Sequence, residues 1–441
     1  MSVRGWGSLL CVGLAFGACV GDSNGDGGDA AVDATADVAQ DTSPADVANE
    51  ATADAGTTYA TTIADQSRWE HFDIASVAGA NPGFAGGAFD GRYVYFSPSV
   101  TTNCCNSELV RFDTEGGFTS VNSWDGFDLA SLGVGGFAAA IFVAPYLYLV
   151  PYRNPGFEGR LVRYDTSKTF KDVASYEVMD LATLDAKSVG FGGGAFDGKY
   201  LYMTSDRGGN ATRYDTSAPF DAGASYENVF ISANYVYYAG IYDGARVYMA
   251  PYQVLAPSAP LGLLQAYDTT QPFSNPSSFA SYDMLAEGGV DGNAGAFIGA
   301  LFDGRYVYFE PYGIGGTGST VVRYDPQAPL ADPNSYSKLD LAAVDANAHG
   351  FQGCTFDGRY AYFAPTVTST TVRLDTTATF GDKSAWQSYD LTSSQTTSAH
   401  GYVGAVFDGK YVYYVPYSTT LAVRFDAKSP SSLPSFRSSF F

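Results

Sequence analysis

A short segment that recurs seven times is the feature that most limits what this 441-residue chain can fold into. Its most regular copy, residues 89–95, reads FDGRYVY, and the other copies begin at Phe142, Phe196, Tyr242, Phe302, Phe356 and Phe407. Neighbouring copies are about 53 residues apart on average, which is long enough for one supersecondary unit per repeat. This period therefore indicates a repeat architecture.

Three further segments recur with the same period. One reads Val-Arg-Tyr-Asp or a variant of it, with copies that end at Asp113, Asp165, Asp215, Asp268, Asp325, Asp375 and Asp426. Another is an aromatic residue before a short alternating run, at Trp69, Trp124, Tyr176, Tyr226, Tyr282, Tyr336 and Trp386. The last is an aromatic residue followed by small residues, at Phe84, Phe137, Phe191, Tyr237, Phe297, Phe351 and Tyr402.

Each of the four segments has the composition of a β-strand. The small-residue segment suits an innermost strand, where seven copies crowd around one axis and only Gly, Ala or Cys354 fits. The Asp-Gly pair predicts a type I′ hairpin turn into a second, alternating strand. Proline stops that strand at Pro98, Pro151, Pro251, Pro311, Pro365 and Pro416, and Ser205 takes its place in the third repeat. Four strands in each of seven repeats predict an all-β protein, a seven-bladed β-propeller; a solenoid is the rival, but small residues in the first strand favour radial closure.

The repeat resembles the kelch type of propeller. The resemblance rests on the Asp-Gly-Arg-Tyr-Val-Tyr strand, the Arg-Tyr-Asp-Thr strand and a Trp or Tyr about ten residues later, and it covers residues 66–441. Kelch repeats carry a Gly-Gly pair after the second strand, whereas this chain has Ser97-Pro98 or Glu310-Pro311 there. The resemblance implies a kelch-like, four-stranded blade.

The order of the segments also predicts how the ring closes. The run that begins at Trp69 is a fourth-strand segment that precedes any first strand. We expect it to complete blade seven, whose other strands lie between Tyr402 and Phe425. The alternative is closure by the C-terminal residues 435–441, which copy the motif less well than Phe72 and Asp73 do.

The N-terminal sequence predicts that the protein is localised outside the cytoplasm. Arg4 precedes a short apolar run that ends in Phe16-Gly17-Ala18-Cys19. This resembles a bacterial lipoprotein signal, which implies that residues 1–18 are removed and that Cys19 is acylated. An ordinary secretory signal is the alternative, although its cleavage site requires small residues where Phe16 stands. Because Val20 follows the cysteine, the resemblance implies sorting to the outer membrane of the cell envelope.

Residues 19–65 are predicted to be a disordered linker between the lipid anchor and the propeller. Acidic residues alternate there with Ala, Gly, Thr and Val, and no apolar periodicity is present. The whole chain contains 46 acidic and 24 basic residues, a net charge of −22, which disfavours nucleic acid as a partner. We expect a monomer that touches the membrane through its anchor alone.

Chemistry-bearing motifs are sparse. His349 and His400 stand at equivalent places, two residues before a first strand, but no third nitrogen ligand accompanies them. The sequence does not decide whether a disulfide forms among Cys104, Cys105 and Cys354. Cys354 also fits as a small core residue. The repeated acids are explained by turns and ion pairs. No catalytic residue, metal or cofactor is therefore assigned.

The loops after the second and fourth strands should gather on one face, which we term the upper face. These loops differ between repeats and offer tyrosines, expected to be exposed, with charged residues, the usual chemistry of sugar or peptide recognition. The alternative is that these tyrosines only cap the blade edges beside the proline. The predicted function is a non-catalytic binding module for an extracellular carbohydrate or protein. A propeller enzyme that acts on polysaccharide, as a lyase or glycoside hydrolase, and a purely structural surface protein are the alternatives. The predicted binding residues are Tyr152, Arg153, Asp206, Arg207, Tyr252, Tyr312, His349, His400 and Tyr417.

Overall fold

Seven four-stranded antiparallel sheets form the fold, as the repeat predicted. The computed structural model describes residues 56–77, 83–101, 104–285, 295–394 and 400–434. In every blade the strands are hydrogen-bonded in chain order from the first to the fourth, except that the fourth strand of blade seven comes from the N-terminus. The described residues contain no α-helix and no helix that is long and apolar enough to cross a membrane.

The strands of successive blades correspond closely in length. First strands are Phe84–Phe89, Phe137–Val143, Phe191–Phe196, Tyr235–Tyr242, Phe297–Phe302, Phe351–Phe356 and Tyr402–Phe407. Second strands are Tyr93–Pro98, Tyr146–Pro151, Tyr200–Ser205, Arg246–Val254, Val307–Pro311, Tyr360–Pro365 and Tyr411–Pro416. Third strands are Glu108–Asp113, Arg160–Asp165, Asn210–Asp215, Leu263–Asp268, Thr320–Tyr324, Thr370–Asp375 and Leu421–Asp426. Fourth strands are Trp124–Asp128, Tyr176–Asp180, Tyr226–Phe230, Phe279–Asp283, Tyr336–Asp340, Trp386–Asp390 and Trp69–Asp73.

Short 3-10 turns flank the fourth strands. Those before it are Gln66–Arg68, Val121–Ser123, Val173–Ser175, Gly223–Ser225, Pro276–Ser278, Pro333–Ser335 and Lys383–Ala385. Those after it are Ile74–Ser76, Leu129–Leu132, Leu181–Thr183, Leu341–Ala343 and Leu391–Ser394. Two-residue strands lie at Thr58–Tyr59, Val100–Thr101, Cys104–Cys105, Ala259–Pro260 and Lys428–Ser429.

One assignment within the repeat was wrong. In blade four the fourth strand begins at Phe279, which pairs with Tyr267 as Trp124 pairs with Phe112 in blade one. Tyr282 lies near the end of that strand and stacks on Tyr336 of the next blade, at 4.8 Å between ring centroids. Tyr282 was assigned to the start of the strand because both Phe279 and Tyr282 are aromatic and the sequence does not distinguish them.

The first strands line the axis, and their small residues are required there. Each first strand contacts the first strands of the two neighbouring blades, so that the seven form a closed ring. A Cβ atom on Gly194 would lie 2.2 Å from the carbonyl oxygen of Tyr202 and 2.9 Å from the Ile141 side chain. Such distances leave no space for a side chain, which confirms the predicted place of the small-residue segment.

The lower turns join first to second strands, and their geometry differs from the predicted type I′ turn. In the turn of blade one Gly91 has a positive φ, of 103°, whereas Asp90, the first central residue, does not. Asp90 Oδ1 instead accepts hydrogen bonds from the backbone N–H groups of Arg92 and Tyr93, and Oδ2 accepts one from the Tyr95 hydroxyl. Aspartates 197, 243, 303, 357 and 408 make the same three bonds. These carboxylates therefore serve the turn.

The aspartates that end the third strands also serve the blade. Asp113 pairs with Arg92, at 2.8 Å, and the next residue, Thr114, donates its hydroxyl to the Arg92 carbonyl. The Arg305–Asp325 and Arg359–Asp375 pairs repeat this arrangement. The ion pair expected for this aspartate thus forms within its own blade, with the arginine of the Asp-Gly-Arg turn.

Arginine and aromatic side chains join neighbouring blades. Five third-strand arginines lie between a tyrosine of their own blade and a phenylalanine of the next: Arg111, Arg163, Arg213, Arg323 and Arg424. On the outer, fourth strands, rings stack across the same boundary, as Phe127 does on Tyr176 at 4.7 Å. These contacts therefore hold neighbouring blades together.

The N-terminal strand closes the ring, which confirms the preferred alternative. Trp69–Asp73 pairs with Leu421–Asp426, with Trp69 opposite Phe425 and Asp73 opposite Leu421. The Trp69 ring is buried against Phe425 and Tyr389, at 4.8 and 5.2 Å between centroids. The rival segment 435–441 lies outside the described residues.

An N-terminal strap, residues 58–63, shortens the predicted linker. Thr58–Tyr59 pairs with Lys428–Ser429, and Ala60 and Ile63 are buried. Arg373, which is fully buried, donates to the Ala60 carbonyl at 2.8 Å. Residues 58–63 therefore pack against the propeller, because Arg373 of blade six and Lys428–Ser429, after blade seven, supply their partners. Cys19 and the signal segment lie outside the described residues.

Candidate functional site

The upper face carries seven equivalent residues, one from each blade, which we call the upper ring; four of them are tyrosines. Each residue directly follows the end of the proline-stopped segment of its second strand: Ser99, Tyr152, Asp206, Tyr252, Tyr312, Thr366 and Tyr417. In blade two the backbone N–H groups of Tyr152 and Arg153 both reach the carbonyl of Gly136, just before the first strand. The same contact joins Tyr312 to Ala296 and Tyr417 to Gly401. The loop thus turns back over the start of the first strand, towards the axis.

This inward turn buries the tyrosines that were expected to be exposed. Tyr152 is 1% exposed, and Tyr252 and Tyr312 are each 5% exposed, while Tyr417 is half-buried. Tyr252 packs against Tyr238 and Tyr312, at 4.9 and 6.2 Å between ring centroids. The expectation that these four rings present a free face for stacking was therefore wrong for three of them.

A buried charged cluster lies beneath the loops of blades two to four. Arg207 Nε is 2.9 Å from Asp206 Oδ1, and the Asp206 side chain has no exposed surface. Neither carboxylate oxygen of Asp206 has a well-aligned hydrogen bond from a described residue. Burial therefore raises the pKa of Asp206 from its ordinary value of 3.8 to about 7, although Arg207 and Tyr152 oppose the shift.

Two tyrosines surround this ion pair. Burial raises the pKa of Tyr152, and the nearby Asp206 carboxylate raises it further. Burial raises the pKa of the fully buried Tyr238 in the same way, again with a contribution from Asp206. Both hydroxyls stay protonated at neutral pH and can donate to a carboxylate. The structure thus brings together four of the predicted residues, Tyr152, Asp206, Arg207 and Tyr252, with Tyr238, which the sequence analysis did not single out.

An exposed ring lies directly above this cluster. Phe157, in the loop between the second and third strands of blade two, is 49% exposed. It forms an antiparallel bridge with Arg153, so that both side chains project from the same side of the loop. The guanidinium carbon of Arg207 lies 5.8 Å from the centre of the Phe157 ring. Phe157 therefore lies beside the Arg207 guanidinium and opposite Arg153 in the backbone bridge.

Gly190 makes this arrangement possible. Its φ is 64°, and a Cβ there would lie 2.9 Å from Arg207 Cβ and 3.1 Å from the Phe157 ring. Any larger residue would push the ring and the arginine apart. Sequence reasoning missed Phe157 because no other repeat has an aromatic at this place; that irregularity is the one signal that could have found it.

A second exposed ring continues the surface across blade three. Phe230, the last residue of the fourth strand, is 47% exposed, and Lys187 Nζ lies 4.4 Å from its ring centre. A Cβ on Gly209 would lie 2.7 Å from the Phe230 ring, and one on Gly208 would lie 1.9 Å from the Lys187 carbonyl oxygen. Because Gly208 follows Arg207 in the chain, the two rings and their cations form one surface. We call Arg153, Phe157, Lys187, Arg207 and Phe230 the upper patch.

The two histidines do not join this patch in any described contact. His349 is half-buried, and its Nδ1 lies 2.9 Å from the Gly316 carbonyl oxygen. His400 is exposed. Within the described part of the chain no group of three or more His, Cys, Asp or Glu side chains is placed to hold a metal ion.

Glu310 is a buried acid that the sequence analysis did not consider for function. It lies on the second strand of blade five, where its Oε2 accepts a hydrogen bond from the backbone N–H of Gly353 in blade six. Burial raises the pKa of Glu310 well above its ordinary value. Burial and the nearby Glu310 also raise the pKa of the Cys354 thiol, which therefore stays protonated. Cys354 thus fits the interpretation as a core residue.

Comparison with known proteins identifies the fold. No family model matches the sequence, and no curated protein sequence matches it. A streptogramin B lyase structure is similar with a TM-score of 0.57 at 12% identity, over 81% of this chain and 97% of that chain. The β-propeller is the shared feature. A virginiamycin B lyase from Staphylococcus aureus matches with a TM-score of 0.56 at 8% identity, over 81% and 98% of the two chains. The WD40 propeller domain of Doa1 matches with a TM-score of 0.51 at 7% identity, over 79% and 94%.

Proposed function

We propose that the protein is a non-catalytic binding module whose ligand, a carbohydrate or a protein, lies on the upper face. The observation that carries the proposal is the upper patch, in which two half-exposed rings lie beside three cations. Exposed aromatic and basic residues on loops are typical of recognition surfaces. The upper ring supports the same view, since three of its seven residues are not tyrosine, whereas six of the seven lower turns carry the same aspartate.

The proposal includes a kelch-like repeat and localisation of the protein in the cell envelope. The lipoprotein signal at Cys19 supports attachment to the outer membrane, with the propeller outside the cytoplasm. The strap adds a geometric argument, because the Tyr59 hydroxyl lies beside Gly358, in the lower turn of blade six. Tyr59 therefore lies on the side of the propeller opposite the upper patch, so the strap leaves that patch uncovered.

Binding arrays of glycans and of extracellular proteins test the proposal. The Phe157→Ala variant should lose affinity for whichever ligand is found by about 1–3 kcal/mol, as aromatic anchors do. Val121→Ala is the matched control, because Val121 is equally exposed, at 49%, but lies before a fourth strand on the lower side. A ligand whose affinity falls with Val121→Ala and not with Phe157→Ala would contradict the proposal.

A second candidate function is catalysis by a polysaccharide lyase. The specific observation in its favour is the Asp206 carboxyl, whose pKa of about 7 suits a general acid or base, beside the protonated Tyr152. The streptogramin B and virginiamycin B lyases share the fold, but at 12% and 8% identity this likeness does not extend to their activity. Incubation with polysaccharides, followed by ultraviolet absorbance and reducing-end assays, separates turnover from binding.

A further inference from the structure

We propose that the ligand of the upper patch is an anionic glycan, in which a pyranose ring stacks on Phe157 and its acidic group pairs with Arg153 and Arg207. This inference rests on the proposed function and names the ligand class of that same site. The sequence analysis left carbohydrate and protein open. The arrangement of charge around the ring is what favours a charged sugar.

The first argument is the sign of the charge. The chain carries 46 acidic and 24 basic residues, yet three basic side chains meet on the upper patch. Arg153 and Lys187 are exposed, and Arg153 forms no salt bridge within the described residues. An acid close to Lys187 is Asp185, whose Oδ1 accepts a hydrogen bond from the Lys187 backbone N–H and whose pKa is lowered in part by the Lys187 charge. A local positive surface on a protein of net charge −22 selects an anionic group at that place.

The second argument is the geometry of the groups. A guanidinium presents a planar set of donors that matches a carboxylate or sulfate, and the exposed Phe157 ring beside Arg207 offers the flat apolar face that a sugar needs. Arg153 donates one bond, to the Pro155 carbonyl, and keeps its other N–H groups towards solvent. Phe157 is held on Gly190 and cannot sink further into the protein.

The third argument is that Arg207 is held in place for this role. Its side chain is 19% exposed and its Nε lies 2.9 Å from the buried Asp206, which fixes the guanidinium beside Phe157. Holding the cation in advance lowers the entropy lost on binding. Asp206 is therefore a positioning residue for Arg207 rather than a ligand contact.

The second ring extends the site. Phe230 and Lys187 repeat the pairing of an exposed ring with a cation on the far side of Gly208 and Gly209. An exposed ring beside a cation, repeated along the surface, suits a polymer in which a sugar ring and an acidic group repeat along the chain. We therefore expect an oligosaccharide to bind more tightly than the corresponding monosaccharide.

Titration calorimetry with matched sugars tests the inference. The probes are oligogalacturonate, the same oligomer with its carboxyl groups reduced to alcohols, and a sulfated galactan oligomer. The acidic oligomer should bind at least tenfold more tightly than its reduced form, and the sulfated probe shows whether sulfate replaces carboxylate. Equal binding of the acidic and reduced forms would overturn the inference.

Variants separate this inference from the proposed function. Arg153→Met and the double variant Asp206→Asn/Arg207→Met, which removes both members of the buried pair, should each abolish most of the preference for the acidic form. Phe157→Ala should weaken both forms about tenfold, and Lys383→Met, an exposed lysine on the lower side, should change neither. Loss of neutral-glycan or peptide binding in Phe157→Ala, without any preference for acid, would overturn the anionic ligand and leave the binding module standing. Failure of every glycan and peptide to bind would overturn both.

Discussion

The guanidinium carbon of Arg163 in blade two lies 4.4 Å from the ring centre of Phe220 in blade three. On its other side the same arginine lies 4.3 Å from the Tyr146 ring, and its N–H groups pair with Glu177 at 3.0 Å. The contact joins residues from neighbouring repeats, and equivalents occur at four other blade boundaries. At the boundary between blades four and five, Ala266 and Leu330 replace both partners together. The repeat thus encodes how blades bind one another as well as how each folds.

A double-mutant cycle on Arg163→Met and Phe220→Leu should give a coupling free energy of about 1 kcal/mol, because a partly desolvated cation over a ring stabilises both. Guanidinium unfolding of the four proteins measures it. Val173→Ala, at an exposed residue before a fourth strand, is the control and should change stability little. A coupling of zero would show that the ring and the arginine act independently.

Ring closure should depend on Trp69. The Trp69→Ala variant is expected to lose about 3–5 kcal/mol of unfolding free energy, since it leaves a cavity between blades six and seven and removes the indole hydrogen bond to the Ile63 carbonyl. Removal of residues 435–441 should have little effect. Thermal or guanidinium unfolding distinguishes the two, and the opposite ranking would move closure to the C-terminus.

Stability should fall with rising pH through Asp206. Its pKa is raised on folding from 3.8 to about 7, so the folded protein binds a proton more tightly than the unfolded chain. The stabilisation is complete below about pH 4 and is lost as the pH rises to about 7, by up to about 4 kcal/mol at roughly 1.4 kcal/mol per pKa unit. Asp206→Asn should lack this component of the pH dependence.

The comparison is made on unfolding free energies between about pH 4 and pH 8. Other buried carboxyls, such as Glu310, titrate in both proteins and cancel in the difference. Asp382→Asn, at an exposed acid of blade six, serves as the control and should keep the wild-type slope. An Asp206→Asn protein with that same slope would contradict the assignment.

Burial changes what substitution of the upper tyrosines should do. Tyr252→Ala should lower the unfolding free energy by about 3–5 kcal/mol, because its ring packs between Tyr238 and Tyr312. Tyr252→Phe should cost far less, since it keeps the ring. Melting temperatures of the two variants test this, and a Tyr252→Ala protein that melts like the wild type would indicate a ring that is free in solution.

Substitution of Cys19 tests whether the protein is anchored to the membrane by a lipid. The Cys19→Ser variant should release the propeller into the soluble fraction, because acyl chains would supply the membrane affinity. Detergent partitioning and metabolic labelling with a fatty acid measure the change. A variant that stays in the membrane fraction would contradict the lipoprotein interpretation.

The architecture could be predicted from the sequence because its determinants are local and repeat seven times. Residues 89–95 specify a strand, a turn and a second strand by their own composition, and the position of Trp69 before any first strand specifies ring closure. The sequence analysis was wrong about the turn type at Asp90 and about the start of one fourth strand, because more than one local pattern fits each place. The Asp90 side chain closes its turn, and only Gly91, not Asp90, has the positive φ that a type I′ turn requires at both residues. Phe279 begins the fourth strand of blade four, three residues before Tyr282, which was assigned to that place.

The candidate site was decided by the tertiary structure. Arg153, Asp206 and Arg207 stood out as departures from the repeat, but Phe157 and Phe230 carry no periodic signal, and they lie beside cations from other loops only once the blades close into a ring. The burial of Tyr152 likewise follows from backbone hydrogen bonds to Gly136, which draw the loop over the axis. The sequence by itself determined the blades, since their hydrogen bonds and turns are local. Only the tertiary structure decided which loop side chains are exposed and which charged groups lie close together, because those contacts form between blades.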